Sequence, residues 1–299
     1  MPGQEDGSAI KSVTMSRISC IIVSYNKGNF LKDAINSVLA QTLPVDEIIV
    51  ADDGSTDGSR NLIMSLAQEY CQIKPIFREK NLGVAANRDL AIREANGDLL
   101  TTLDGDDWYS PQKIEKEFIA IQKKPNTIAY SDVRLVNREG KQIYDWDISG
   151  FSKFDTAQRL HWLSHRLGPI PRDMLLPKKL YLEVLGMRHG LPIYEDWDFK
   201  IRLAGYPNQW IHSGITGINY RKTKSGLSQS SSLIHTKCQY QVLMLNQELL
   251  KKYLGNQGFW LAIARVILKG GRSVVSKVIL PEQMARSIKS TKKKLGNFR

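Results

Sequence analysis

Three groups of acidic residues in this chain sit at spacings that could do chemistry: Asp52-Asp53, Asp104-Gly105-Asp106-Asp107 and Glu195-Asp196. Carboxylates this close repel one another, and a fold tolerates them best where a cation or polar ligand lies among them. For any single group, a solvated acidic loop is the simpler account. Asp104-Gly105-Asp106 is a D-x-D arrangement. One of its side chains can reach a ribose hydroxyl while the other holds a hard divalent cation that bridges phosphates. Gly105 between them is expected to keep the backbone permissive. Ser24-Tyr25-Asn26 adds a fourth polar cluster. Tyr25 can stack on a base, and Asp53 can accept from a base N–H or a ribose hydroxyl; ordinary strand-end packing is the bland alternative for Tyr25.

The elements that must position these residues follow from periodicity. Apolar runs at 18–24, 47–51, 73–77 and 98–103 predict strands. Helical spacing at 30–41, 59–70 and 84–95 predicts the helices between them, with Phe30, Ala34, Val38 and Leu39 on one face of the first. This alternation predicts an α/β fold with a single, mostly parallel, doubly covered sheet. Such sheets bind ligands outside the carboxyl ends of their strands, where three of the clusters fall. Beyond Pro111 the pattern predicts a helix to about residue 122, strands at 127–133 and 141–144, and a helix at 151–166. An irregular stretch at 169–177 then precedes helices at 178–185 and 195–204. Strands at 209–212 and 215–220, a mobile loop at 222–232 and one long helix at 233–253 complete the reading. The organisation expected is a disordered lead-in at 1–16, a part carrying the strand-end clusters at 17–125, a second part of the same domain at 126–226, and a basic helical extension at 227–299.

The turn after the first strand, residues 24–29, holds one glycine rather than G-x-G-x-x-G, and no G-x-x-x-x-G-K-[ST] loop occurs. A dinucleotide site, a phosphate loop and a nucleotidyltransferase with its glycine-rich basic loop are therefore disfavoured. The sheet offers carboxylates for a cation instead of backbone amides for phosphates.

Taken in order, Ile21-Ile22-Val23-Ser24-Tyr25-Asn26, the run 48–57, Asn81-Leu82-Gly83 with Arg88, the run 103–107 and Glu195-Asp196 resemble the inverting family-two glycosyltransferases. The resemblance covers roughly residues 17–225 and implies that 17–125 is the nucleotide-sugar-binding part and 126–226 the acceptor-binding part of the same domain. It implies a Rossmann-like glycosyltransferase A fold, a nucleoside-diphosphate sugar donor (a UDP-sugar favoured) and Mn2+ or Mg2+. It also implies that Tyr25 packs on the base with Ser24 and Asn26 in the nucleotide site, and that Asp53 belongs to the pair reading the base. Arg88 is expected near the nucleotide, Asp104 on the ribose, Asp106 on the metal, and Asp196 as the catalytic base. The family's Tyr-Arg-x-His stands here as Tyr220-Arg221-Lys222-Thr223, and Lys222, Lys224 or Ser225 is expected to replace the histidine. The Q-x-x-R-W of processive members is absent, which implies one sugar added at a time.

In this reading Asp196 takes the proton of an acceptor hydroxyl while charge builds on the leaving diphosphate, stabilised through Asp106 and Arg88. Neighbours on a helix point about 100° apart, so one of Glu195 and Asp196 faces the cleft, and Glu195 is expected to raise the pKa of Asp196. Weighed against these roles, Asp196 is also an ordinary acidic residue for a helix start, and Arg88 could merely pair with Glu94 or Asp89. His161 and His165 have helical ligand spacing but no acid or cysteine to complete a metal site. Cys20 reads as a small buried hydrophobe.

The chain has 299 residues, 42 Lys+Arg against 30 Asp+Glu and a net charge of +12, with 42% apolar residues, which excludes wholesale disorder. Cys20, Cys71 and Cys238 form no paired framework, so a reducing, cytoplasmic setting is expected, peripheral to the membrane at most. No apolar run reaches the ~18–20 residues of a spanning helix, and the N-terminus lacks the apolar core of a secretory signal. From Lys269 onward nine basic residues face one acid, eight of the twelve net charges. Phe259, Trp260, Ile263, Val266 and Ile267 share a helical face that could lie on an anionic membrane or pack on the domain. The expected partners are a nucleotide-sugar donor and a saccharide or lipid-linked saccharide acceptor, with no nucleic acid because the tail carries few aromatics. The competing reading from another class is an inactive transferase-like domain serving as a basic membrane- or nucleic-acid-binding module.

Overall fold

The structure, a computed structural model, describes residues 16–122, 126–223 and 230–270. Residues 1–15 of the expected lead-in, residues 224–229 of the expected loop (Lys224 and Ser225 among them) and the basic tail beyond residue 270 lie outside the described residues.

The N-terminal half follows the expected rhythm: β1 (Ile18–Ser24), α1 (Asn29–Leu39), β2 (Glu47–Asp52), α2 (Ser59–Glu69), β3 (Ile73–Phe77), α3 (Val84–Glu94) and β4 (Leu99–Asp104). Every residue of β1 and β2 is buried, as befits strands covered on both faces. α1 turns Leu31, Ala34, Ile35 and Val38 inward at i, i+3, i+4 and i+7. This corrects the expected face by one position, because Phe30 leaves the core and lies under Arg221, 4.3 Å from ring to guanidinium.

After β4 come β5 (Trp108–Tyr109), α4 (Lys113–Ile121), β6 (Thr127–Val136), β7 (Gln142–Trp146), a 3-10 turn (Ser149–Lys153) and α5 (Thr156–His165). The predicted 151–166 helix is thus divided, and its second part starts at a capping box made by Asp155 and Gln158. β8 (Leu176–Pro177), α6 (Lys178–Glu183), α7 (Glu195–Ala204) and β9 (Gln209–Arg221) follow. α8 (Ser232–Leu245) and α9 (Gln247–Gly270) close the described chain, so the single long helix expected there breaks at Asn246, and α9 is kinked at Gly255.

The α/β class and its mostly parallel sheet hold. The strands, however, are divided between two sheets instead of one. The first runs β3-β2-β1-β4-β8, parallel apart from β8, and the second runs β5-β9-β6-β7. The stretch expected to be irregular joins them: Leu176 pairs with Leu100 of the first sheet, and Leu175 bridges Ala129 of the second. Under this seam the fully buried Lys113 ammonium donates to Glu117, at 2.9 Å, and to the carbonyl of Asp173. Burial pushes the Glu117 carboxyl up to about 6 despite that lysine.

The parallel register decides where the chemistry goes. Ser24 pairs with Asp52, and Val23 pairs with Asp104, so the polar ends of β1, β2 and β4 reach one edge together.

The two C-terminal helices pack on each other, α9 also against α5 and α8 against α7. α9 buries Phe259, Ile263, Val266 and Ile267, which settles that face as core. Trp260, expected with them, is exposed instead.

Candidate active site

A cavity of about 1400 Å³ opens over the strand ends. That exceeds the ~300–1,000 Å³ of an ordinary small-molecule pocket and leaves room for two substrates side by side. Of the sequence-expected residues, Ser24, Tyr25, Asp53, Arg88, Asp104, Asp106 and Asp196 line it. Asn26 is not part of the lining. With φ at +51°, it bonds the Asp52–Thr56 turn instead: its N–H donates to Ser55 Oγ at 2.8 Å and its Oδ1 accepts from the Thr56 N–H at 2.8 Å.

At one end of the cavity Tyr25 is 46% exposed, its ring free to receive a planar ligand. Asp53 is buried beneath the neighbouring loop. Its oxygens accept from the N–H groups of Leu82 (2.8 Å) and Gly83 (2.9 Å), fixing the Asn81-Leu82-Gly83 turn against the strand ends. Each oxygen keeps a further lone pair for a ligand.

At the centre is a lattice of alternating charge. Lys27 Nζ lies 2.6 Å from Asp106 Oδ2. Arg88, buried on α3, donates to Asp104 and, at 3.3 Å, to Glu195 Oε1. Its expected alternatives, Glu94 and Asp89, pair elsewhere: Glu94 with Arg78 and Asp89 with Arg93. Arg172 donates to Asp104 (3.1 Å), Asp107 (2.7 Å) and Asp173 (2.7 Å), and stacks on the Tyr220 ring at 4.3 Å. Burial opposes ionisation of Asp104, yet Arg88, Arg172 and Lys27 hold its carboxyl below the usual range. Burial pushes Asp107 well above that range, with Asp104 and Asp106 adding like charge. Arg221 stitches this turn from behind: its N–H donates to Asp107 Oδ1 at 2.8 Å and its Nε to the Asp106 carbonyl at 3.0 Å.

Gly105 has a different task from the expected one. It is not a left-handed glycine; it is short of space. A Cβ there would come within 3.0 Å of the Val23 carbonyl oxygen and 3.3 Å of both Leu31 Cδ1 and Lys27 Cγ. Its bareness admits the lysine stem that reaches Asp106.

The third motif opens α7. Tyr194, in the left-handed region at φ +71°, turns the chain into the helix, and its hydroxyl is tied to His235 (2.9 Å) and Gln239 (2.7 Å) of α8. Glu195 turns inward to Arg88, while the Asp196 side chain is 44% exposed. The two carboxyls respond oppositely. Burial, with the Asp196 charge beside it, pushes Glu195 up to about 7. Burial also works against Asp196, but Lys200 at 2.6 Å and the more distant Arg88 and Arg172 override it and bring Asp196 down to about 2. The expected elevation of Asp196 is therefore reversed; Glu195 is the member that is raised.

For a metal, the donor set is hard carboxylate oxygen. Among the described residues, no group of three or more His, Cys, Asp or Glu could hold an ion unaided. The hard carboxylate oxygens of Asp106 and Asp104 fit Mg2+ or Mn2+, with Asp106 the residue that would hold the ion and further oxygen donors needed from outside the chain. His161 and His165 stack on each other at 4.2 Å and lie outside the cavity lining.

Three cationic residues here were not singled out by motif, Lys27, Arg172 and Lys200, while Arg221 stood in the Tyr220–Thr223 motif without a role assigned to it. Of those three, Lys200 alone had a local signal, the i,i+4 spacing from Asp196 on a predicted helix.

The family model described as "Glycosyl transferase family 2" matches residues 19–179, more than half of the chain. The chain belongs to glycosyl transferase family 2. Among family 2 relatives, an uncharacterized glycosyltransferase of Rickettsia conorii is 32% identical over 194 residues, 62% of this chain and 31% of its own length. TuaG of Bacillus subtilis, named as a teichuronic acid biosynthesis glycosyltransferase, is 31% identical over 123 residues, 41% of this chain and 49% of its own. The chain thus spans less than a third of the Rickettsia protein and about half of TuaG. In fold it resembles S. aureus TarS 1–349 solved with UDP-GlcNAc (TM-score 0.67, 17% identity, 89% of this chain and 77% of that one). It also resembles GalNAc-T7 solved with UDP, GalNAc and Mn2+ (TM-score 0.59, 16% identity, 78% and 48%). These likenesses place it in the glycosyltransferase A fold.

Proposed function

We propose that this chain transfers one sugar from a nucleoside-diphosphate donor, a UDP-sugar, to a hydroxyl acceptor, with inversion at the anomeric carbon. The observation that carries the proposal is Arg88: one guanidinium joins Asp104 of the D-x-D turn to Glu195 beside Asp196, so the donor-side and acceptor-side acids share one cavity.

Tyr25 receives the base, and Asp53 holds the loop beside it. Asp104 accepts from the ribose. Asp106, with Asp104 nearby, would hold Mg2+ or Mn2+, which neutralises diphosphate charge when bound. Lys27 and Arg172 stand next to those carboxylates and supply fixed positive charge toward the leaving group. Asp196, ionised and accessible, accepts the proton as the acceptor oxygen bonds to the anomeric carbon. The bond from that carbon to the diphosphate oxygen breaks, and its electron pair leaves with the diphosphate. Attack from the opposite side inverts the centre.

The names of two similar proteins support this reading: UDP-GlcNAc was bound to TarS, and TuaG is named for teichuronic acid biosynthesis. Cell-surface polysaccharide or glycolipid synthesis is the process we assign on that support. The test is a thermal-shift and hydrolysis screen of several UDP-, GDP- and dTDP-sugars with Mn2+ or Mg2+. Stabilisation and turnover by one donor class, requiring the ion, is expected. Indifference to every donor would overturn the proposal.

A further inference from the structure

The face that α9 turns away from the domain is as informative as its buried one. Trp260 (41% exposed), Leu261 (56%) and Leu268 (80%) are all accessible, and Ala264 between them is exposed as well. At 100° per residue these four fall within one stripe along the solvent side of the helix. Arg265 and Lys269 border the Leu261 edge of the stripe and are exposed too. A tryptophan and two leucines aligned on an outward helix face are not explained by packing, because Phe259, Ala262, Ile263, Val266 and Ile267 already serve the core.

The sequence that follows indicates the occupant. From Lys269 to Arg299 the chain carries nine basic residues and one acid, including Lys292-Lys293-Lys294. An apolar helical stripe continued by a strongly basic segment complements an anionic lipid surface: the stripe enters the headgroup boundary and the cations meet the phosphates. Among the described residues no helix is long and apolar enough to cross a membrane, so contact through α9 would be from one side.

We infer that the outer face of α9 docks this protein on anionic bilayers, with Trp260, Leu261 and Leu268 as the inserted residues. α9 packs against α5. The chain leaving α5 supplies Arg166, Gly168, Pro169 and Ile170 to the cavity wall. The docking face is thus one helix away from the cavity. The inference does not depend on the transferase reading.

The test uses the full chain with vesicles of phosphatidylcholine containing about 30 mol% phosphatidylglycerol, and with phosphatidylcholine alone. Brominated acyl chains report tryptophan insertion, and the Trp260→Phe variant isolates that signal from the other five tryptophans. The expected result is binding to the anionic vesicles, and bromine quenching that disappears in Trp260→Phe. Leu261→Glu combined with Leu268→Glu should weaken vesicle binding at least about tenfold. Both leucines are exposed, so the melting temperature should not move. Lys292→Gln, Lys293→Gln and Lys294→Gln together should weaken binding and its salt dependence. The inference is overturned by absence of binding, by binding that the leucine variants leave intact (the charged tail alone), or by a soluble dimer that the leucine variants dissociate (a second copy covering the face).

Discussion

Lys200 Nζ lies 2.6 Å from Asp196 Oδ2, one turn further along α7. The pair keeps the proposed base ionised: Asp196 is drawn down to about 2, so the native state holds its proton less tightly than the unfolded chain does. Its contribution to stability is present above the ordinary aspartate range and is lost as pH falls toward 2. Lys200→Met removes the ammonium at similar volume. The acid limb of the transfer rate should then move up toward the ordinary carboxylate range, read from kcat against pH. A limb that stays in place would separate Lys200 from the base.

Glu195 gives a stability prediction of opposite sign. Its carboxyl is raised to about 7 by burial and by Asp196, so the native state binds the proton more tightly than the unfolded chain. Stability from this group is full below the unfolded value near 4.5 and is lost as pH rises toward 7. Glu195→Gln should flatten the decline between pH 5 and 8, narrowing it by about 1–2 kcal/mol in denaturant titrations. An unchanged slope would place Glu195 in an ordinary environment.

Arg172 donates to three carboxyl groups, and Asp107 among them is fully buried. Breaking a buried network by removing one partner costs about 3–5 kcal/mol. Arg172→Met should lower the midpoint of unfolding accordingly, and Arg172→Lys should recover only part because it lacks the fork that spans Asp104, Asp107 and Asp173. Full recovery by lysine would show that charge alone suffices.

At Gly105 the Val23 carbonyl 3.0 Å from the added Cβ is backbone and cannot retreat, whereas the Lys27 stem can. Gly105→Ala should therefore cost about 1–3 kcal/mol and displace Lys27 from Asp106. The second effect is read as a change in Mn2+ affinity measured with the nucleoside diphosphate present. If metal affinity stayed at the wild-type value, the lysine contact would be irrelevant to the ion.

Strong local periodicity made much of the fold legible in the sequence. The bounds of β1 and β3 are those the apolar runs predict, and α7 begins at Glu195 as the acidic first turn implies. The seam between the two sheets was not legible. β8 is two residues long, and its pairing with Leu100 depends on contacts that no local pattern encodes. The break at Asn246 was hidden because apolar residues continue through it; Asn246 is itself buried, donating to Asp198 of α7 at 2.7 Å. In the site, the carboxylates announced themselves by clustering. Their counter-charges mostly did not: Lys27 and Arg172 are single basic residues far apart in the chain, assembled only by the fold, and the motif that contains Arg221 did not say that it would brace the Asp106-Asp107 turn. The pKa order of Glu195 and Asp196 was likewise beyond reach, because it depends on which of two neighbours turns toward Arg88.

Asp196 is proposed to perform the proton transfer in a cavity whose donor side is built by other residues. Sugar turnover and nucleoside-diphosphate binding measured on the same Asp196→Asn sample test it most directly. Turnover should fall at least about a thousandfold while calorimetric affinity for the diphosphate with Mn2+ changes less than about twofold. Turnover at the wild-type rate would contradict the account.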